Sequence, residues 1–136
     1  MTKLFFIVYL LLACLLPSQV LAQGDASTLV EKHFGNVTYV SGGIGDEERE
    51  EIRLREGDFN LRLLFAERDG SYLGSVDVVV LNAKGEKVLE ANSAGPFLLA
   101  RLPPGSYVIK VSMNGQEQQR KLSITDKRRS EGVFRW

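Results

Sequence analysis

Residues 95–113 read Gly-Pro-Phe-Leu-Leu-Ala-Arg-Leu-Pro-Pro-Gly-Ser-Tyr-Val-Ile-Lys-Val-Ser-Met, and no other stretch constrains the fold as much. Pro103 and Pro104 fix φ near about −65° and carry no N–H, so neither can sit inside a sheet ladder. Gly105 supplies the backbone freedom that a change of chain direction needs. Beyond this corner Tyr107, Ile109, Val111 and Met113 alternate with Val108, Lys110 and Ser112. A period of two marks a strand with one buried face. Before the corner Phe97, Leu99 and Leu102 are apolar, with Leu98 and Ala100 between them. The expectation is two strands joined by a corner, with the remaining strand signals spaced around them.

Those signals recur from residue 58 onward. Residues 60–66 alternate through Leu61, Leu63 and Phe65, and Asp69-Gly70-Ser71 marks a turn. Residues 76–81 place Val76, Val78 and Val80 on one face; Asn82 to Gly85 turns the chain into a strand at 87–90. Asn114-Gly115 is a strong hairpin signal. It leads into residues 116–124, with Leu122 and Ile124 inward, and then residues 132–136, where Phe134 and Trp136 share a face. This spacing predicts a mainly β chain, a single seven-stranded antiparallel β-sandwich over residues 58–136. One short acidic helix at 46–57 should precede it. Asp46 is placed to cap that helix, Glu47 and Glu48 suit its positive end, Glu51 and Arg55 form an i,i+4 pair, and Gly57 stops it. The rival reading of residues 51–56 is an alternating strand.

The front of the chain has a different character. Lys3 precedes an apolar run at residues 4–16, Pro17 breaks it, and Val20-Leu21-Ala22 offers a cleavage site before Gln23. This is the pattern of a secretory signal peptide over residues 1–22. The run is short for a membrane helix and no second apolar span follows it. Cys14, the single cysteine, falls in the apolar run. The alternative is a lipoprotein site, against which stand Leu12 at −2 and the continuing apolar run. Cleavage after Ala22 leaves no thiol for catalysis, metal binding or disulfides. Residues 23–45 read as a flexible leader, polar at first. A short β-prone Val37-Thr38-Tyr39-Val40 follows, with the sequon Asn36-Val37-Thr38 and a glycine-rich joint at 41–45. Lys and Arg number 17 against 17 Asp and Glu, so no net field points to nucleic acid.

Residues 70–124 carry five features in order. These are Leu73-Gly-Ser-Val-Asp-Val-Val-Val80, the turn Ala83-Lys-Gly-Glu-Lys-Val88, Gly95-Pro-Phe97, the corner Leu102-Pro-Pro-Gly-Ser-Tyr107, and Gly115. In this the chain resembles the carboxypeptidase regulatory-like (peptidase-associated, transthyretin-like) β-sandwich module. The resemblance implies a transthyretin-like or immunoglobulin-like fold and a non-catalytic role. With its signal peptide, its Gly-Gly-x-Gly joint and acidic helix, and the ending Phe134-Arg-Trp136, the chain also resembles a group of short exported Gram-negative bacterial proteins. Fold analogy alone supplies no function.

Catalytic patterns are weak. Ala91-Asn-Ser93-Ala-Gly95 misses the nucleophile elbow by one glycine, lies between strands, and has no histidine after it. His33 is the sole histidine and cannot build a zinc site alone. The acids of residues 46–51 fan around a helix and do not converge on calcium. Gly42-Gly-x-Gly45 precedes acids that would repel phosphate. The expectation is therefore a protein that is not an enzyme and takes no cofactor or metal. Binding surfaces are the better candidates. Leu64, Val79, Leu81, Leu98 and Ala100 are apolar on the expected outer faces, where a half-solvated sheet is polar. Something must cover them, either the helix through Ile52 and Leu54 with the Val37 to Val40 segment, or a partner. Lys127, Arg128 and Arg129 form a basic turn that could meet an acidic helix or an anionic envelope polymer. Trp136, with Tyr72 and Tyr39, could serve a polysaccharide. The expected setting is the periplasm or the secreted space, and the expected partner is an envelope protein or a second copy. Nucleic acid and a transmembrane span are not expected.

Overall fold

The computed structural model describes residues 28–136. The expected signal peptide with Cys14, and the start of the expected leader, lie outside them. Among the described residues no helix is long and apolar enough to cross a membrane.

Two sheets pack face to face. The first has five strands in the order β1-β2-β6-β3-β9, and the second has four in the order β5-β4-β7-β8. The strands are β1 (Lys32–Phe34), β2 (Val37–Gly42), β3 (Leu61–Ala66), β4 (Asp77–Leu81), β5 (Lys87–Asn92), β6 (Phe97–Arg101), β7 (Gly105–Met113), β8 (Gln116–Ile124) and β9 (Ser130–Arg135). Helix α1 (Asp46–Arg55) precedes β3, and a 3-10 turn (Glu56–Asp58) completes it. The mainly β architecture agrees with the sequence pattern. Its details do not. Nine strands replace seven, and β9 runs parallel to β3 while every other pairing is antiparallel.

The leader needs the largest correction. Instead of a flexible segment, residues 32–42 form the β1–β2 hairpin, and β2 pairs along its length with the central strand β6. Within the Gly-rich joint Gly42 and Gly43 are buried. A Cβ on Gly42 would lie 2.4 Å from the Leu29 side chain, and one on Gly43 2.5 Å from the Phe97 ring. Gly42 lets neighbours approach the backbone, and Gly43 does so while also taking a positive φ of 102°.

The corner joins the sheets rather than two paired strands: β6 lies in the five-stranded sheet and β7 in the other. Two side chains pin it. Asn60 donates from Nδ2 to the Leu102 carbonyl at 2.7 Å and accepts the Leu102 N–H at 2.9 Å, standing in for a strand neighbour. The Tyr107 hydroxyl donates to the Pro103 carbonyl at 2.6 Å. The Tyr107 ring is buried, and that burial pushes its phenol above the ordinary tyrosine value. A raised folded-state pKa means that the unfolded chain loses this proton first. The stability it carries is whole below about pH 10 and declines as pH rises toward the folded value. Tyr107→Phe should cost about 1 kcal/mol at neutral pH. Denaturation followed from pH 9 to 11 should show a shallower alkaline loss in the variant than in the parent.

Between the sheets lies the main core. Leu61, Leu63, Phe65, Leu98 and Phe134 meet Val78, Val80, Leu89, Ile109 and Val111 there. A second cluster lies on the far side of the five-stranded sheet, under α1: Leu29, Val40, Ile52, Phe59, Phe97 and Leu99. The helix therefore covers one outer face. It does so through Ile52 alone, since Leu54 is 75 % exposed. Residues two apart on a helix point in nearly opposite directions.

Candidate functional site

The residues expected on apolar outer faces separate into three environments. Leu98 is a correction: it faces the main core, as does Ala100, while Phe97 and Leu99 face α1. Leu64 does lie on the outer face, register-paired with Phe97, and packs half-buried against the cluster under the helix. Val79 and Leu81 lie on the outer face of the four-stranded sheet, half-buried, with Val108 beside them. Neither cluster of the described residues includes these three.

This last face has a definite chemistry. Across β4, β7 and β8 one row reads Leu81, Val108, Lys121, and the next reads Val79, Lys110, Gln119. Glu90 flanks the second row but is held by Lys87 at 2.8 Å. Lys110 and Lys121 have no ion pair among the described residues. Toward the Asn82–Gly85 turn the face deepens into an open groove of about 600 Å³, whose walls include Leu81, Val108, Ser106, Ser123 and Lys121 and, among the described residues, no carboxylate. The turn itself is rigid, since Asn82 Oδ1 accepts the N–H groups of Lys84 and Glu86 at 3.0 and 2.9 Å.

Helix α1 spends its acids locally. Glu48 accepts the N–H groups of Gly43 and Ile44 at 2.9 and 3.1 Å, and Glu51 accepts those of Thr28 and Leu29 at 2.9 and 3.2 Å. Asp46 pairs with Arg49, Glu50 with Arg53, and Arg55 bridges to Glu31 at 3.0 Å. Two carboxylates thus fasten the leader to the helix by its backbone. Sequence reasoning missed this role because their partners lie in the glycine joint and at residues 28–29.

The basic turn is also engaged within the chain. Arg129 lies 3.4 Å from Glu56, at the end of α1, and 3.0 Å from Glu131. The acidic helix and the basic turn therefore meet in one copy. Lys127 and Arg128 remain exposed, without ion pairs among the described residues.

Trp136 is no free platform. It is half-buried against Phe65, ring centroids 6.5 Å apart, and its Nε1–H donates to the Gln116 carbonyl at 3.3 Å. Tyr39 is half-buried against the main core. Tyr72 is 53 % exposed, tilted against Phe97 with the Arg49 guanidinium 5.8 Å from its ring centroid. Ser93, the near-miss nucleophile, is fully buried, and its Oγ accepts the Val76 N–H at 3.0 Å. It ties the two strand-flanking segments together. The chain matches no protein-family model and no curated protein.

Proposed function

We propose that this chain is an exported, non-enzymatic β-sandwich protein of the bacterial envelope that acts by binding a partner protein or a second copy. The periplasm or secreted space is its proposed location, and the carboxypeptidase regulatory-like module its proposed kinship. One observation carries the binding reading. The apolar, lysine-flanked outer face of the four-stranded sheet lies open, whereas α1 covers the equivalent face of the other sheet. Two covered faces would describe a closed scaffold; one covered and one open supports a scaffold with a contact side. A partner suited to it has an apolar ridge bordered by carboxylates, matching Lys110 and Lys121. The alternative of a carbohydrate-binding or enzyme-accessory module finds no row of exposed aromatics among the described residues, because Trp136 and Tyr39 are engaged in packing.

A photo-crosslinking residue at position 79 or 108, irradiated in intact cells, should yield one discrete adduct, and the same residue at the exposed Glu47 should not. Val108→Glu should abolish the adduct formed from position 79 and shift stability by no more than about 1 kcal/mol. Equal labelling from positions 79 and 47, or an adduct indifferent to Val108→Glu, would sink this reading.

A further inference from the structure

We propose a second, separate site: the cleft between the 3-10 turn and residues 126–129 takes up a tetrahedral oxyanion, a phosphate group. The cleft holds about 390 Å³ and is walled by four cations, Arg101, Lys127, Arg128 and Arg129. Glu56, Asp58 and Asp126 also border it. Charge balance alone is modest, so the argument turns on which of these groups are already engaged.

Glu56 is engaged by Arg62 at 2.8 Å and Arg129 at 3.4 Å. Arg101 donates from Nε and Nη2 to the main-chain carbonyl of Asp58 at 3.0 and 2.7 Å. That partner is a neutral oxygen, so the positive charge of Arg101 stands unneutralised. Its guanidinium is also held 5.4 Å over the Phe59 ring, with Nη1 left to donate. Lys127 and Arg128 have no ion pair among the described residues. Arg129 is spent on Glu56 and Glu131, and its Nε–H, with no acceptor among the described residues, is buried out of reach of the cleft. Three unneutralised cations thus face two carboxylates, Asp58 and Asp126, and the unspent donors outnumber their acceptors.

The donors also converge from different parts of the fold. Arg101 ends β6, and Lys127 and Arg128 ride the turn after β8. A planar carboxylate offers its two oxygens in one direction. A phosphate group offers at least three acceptor oxygens spread over a tetrahedron, and guanidinium forks suit it. The source of that phosphate is either a free anion or a lipid headgroup, and the chemistry at the cleft is the same.

The test is a titration of the purified protein with inorganic phosphate, followed by the amide and arginine Nε–H signals, against chloride at matched ionic strength. Saturable shifts at Arg101 and residues 127–129, absent with chloride, are expected. Lys127→Gln with Arg128→Gln should weaken phosphate about tenfold, and Asp126→Asn should tighten it about threefold. These three side chains are exposed, so an unchanged spectrum elsewhere reports an intact fold. In a second arm, phosphatidylglycerol vesicles are compared with phosphatidylcholine vesicles. Retention on the former alone, competed by phosphate and lost in the double variant, would make the headgroup the source. Shifts that only track ionic strength would overturn the proposal, as would saturable binding or vesicle retention that survives the double substitution. The sheet-face crosslink is unaffected by either result.

Discussion

Gly95→Ala should destabilise the protein by at least about 3 kcal/mol, lowering Tm by about 10 °C or more, or prevent folding altogether. A Cβ at position 95 would lie 2.5 Å from both the carbonyl carbon and the oxygen of Gly42. That is backbone against backbone, and neither side can rotate away. The surroundings allow little retreat. The Ala94 N–H donates to Ser41 Oγ at 3.0 Å, and the Pro96 carbonyl accepts the Phe65 N–H at 2.9 Å. Moving Gly42 instead would disturb the register of β2 on β6, in which Gly42 is the partner of Phe97. Gly85→Ala is the control. Its Cβ meets open space, and only the positive φ of 78° is unfavourable, so about 1 kcal/mol is expected. Urea denaturation of the two variants checks the contrast; equal losses would refute the steric account.

Phe134→Ala should cost about 3–5 kcal/mol. The Phe134 ring is buried, lies 6.2 Å from Phe65 in a stacked pair, and has the Arg120 guanidinium 5.0 Å over it. Arg120 is on β8, so this ring joins the edges of the two sheets. Around it Gln118 donates to the Arg135 carbonyl at 2.7 Å, Trp136 to the Gln116 carbonyl, and Ser130 to the Ser123 carbonyl at 2.7 Å. Side chains thus occupy backbone acceptors near both ends of the edge strand β8, at Gln116 and Ser123, a partial guard against pairing with other chains. Phe134→Ala should therefore do more than lower stability. Hydrogen exchange should accelerate first in residues 116–124 and 130–135, and the variant should aggregate at temperatures where Tyr107→Phe stays soluble. Uniform loss of protection across both sheets would contradict a role for Phe134 in joining their edges.

How much of this was legible before the structure depended on whether partners are local. The β7–β8 hairpin was readable because its information is contiguous: alternation on β7, then Asn114 and Gly115, both with positive φ. The phase of β6 was not, because Phe97 to Ala100 are all buried and a strand covered on both faces has no polar alternation to read. Arg101 was the usable marker: it shares parity with Phe97 and Leu99, which face the helix, and excludes Leu98 from that side. The leader failed for another reason. Glycine-rich sequence reads as flexible, yet Gly42 and Gly43 are bare because Leu29, Phe97 and Gly95 need the space. The basic turn was visible as charge, but its partner Glu56 sits some seventy residues upstream. The open sheet face was half-legible: Val79 and Leu81 were identified, while Lys110 and Lys121 gained meaning only once β7 and β8 were set beside them.

The parallel pairing of β9 with β3 bears on how the molecule is made. Leu61 takes as its neighbour Ser130, about seventy positions later, so the interior strand of the larger sheet waits for a strand far along the chain. Closing so long a loop is entropically slow, which places folding in the millisecond-to-second range of high-contact-order β proteins. Until β9 arrives, β3 presents a bare apolar edge. That bare edge is the folding chain's most aggregation-prone feature, and its lifetime is set by how soon the distant strand docks.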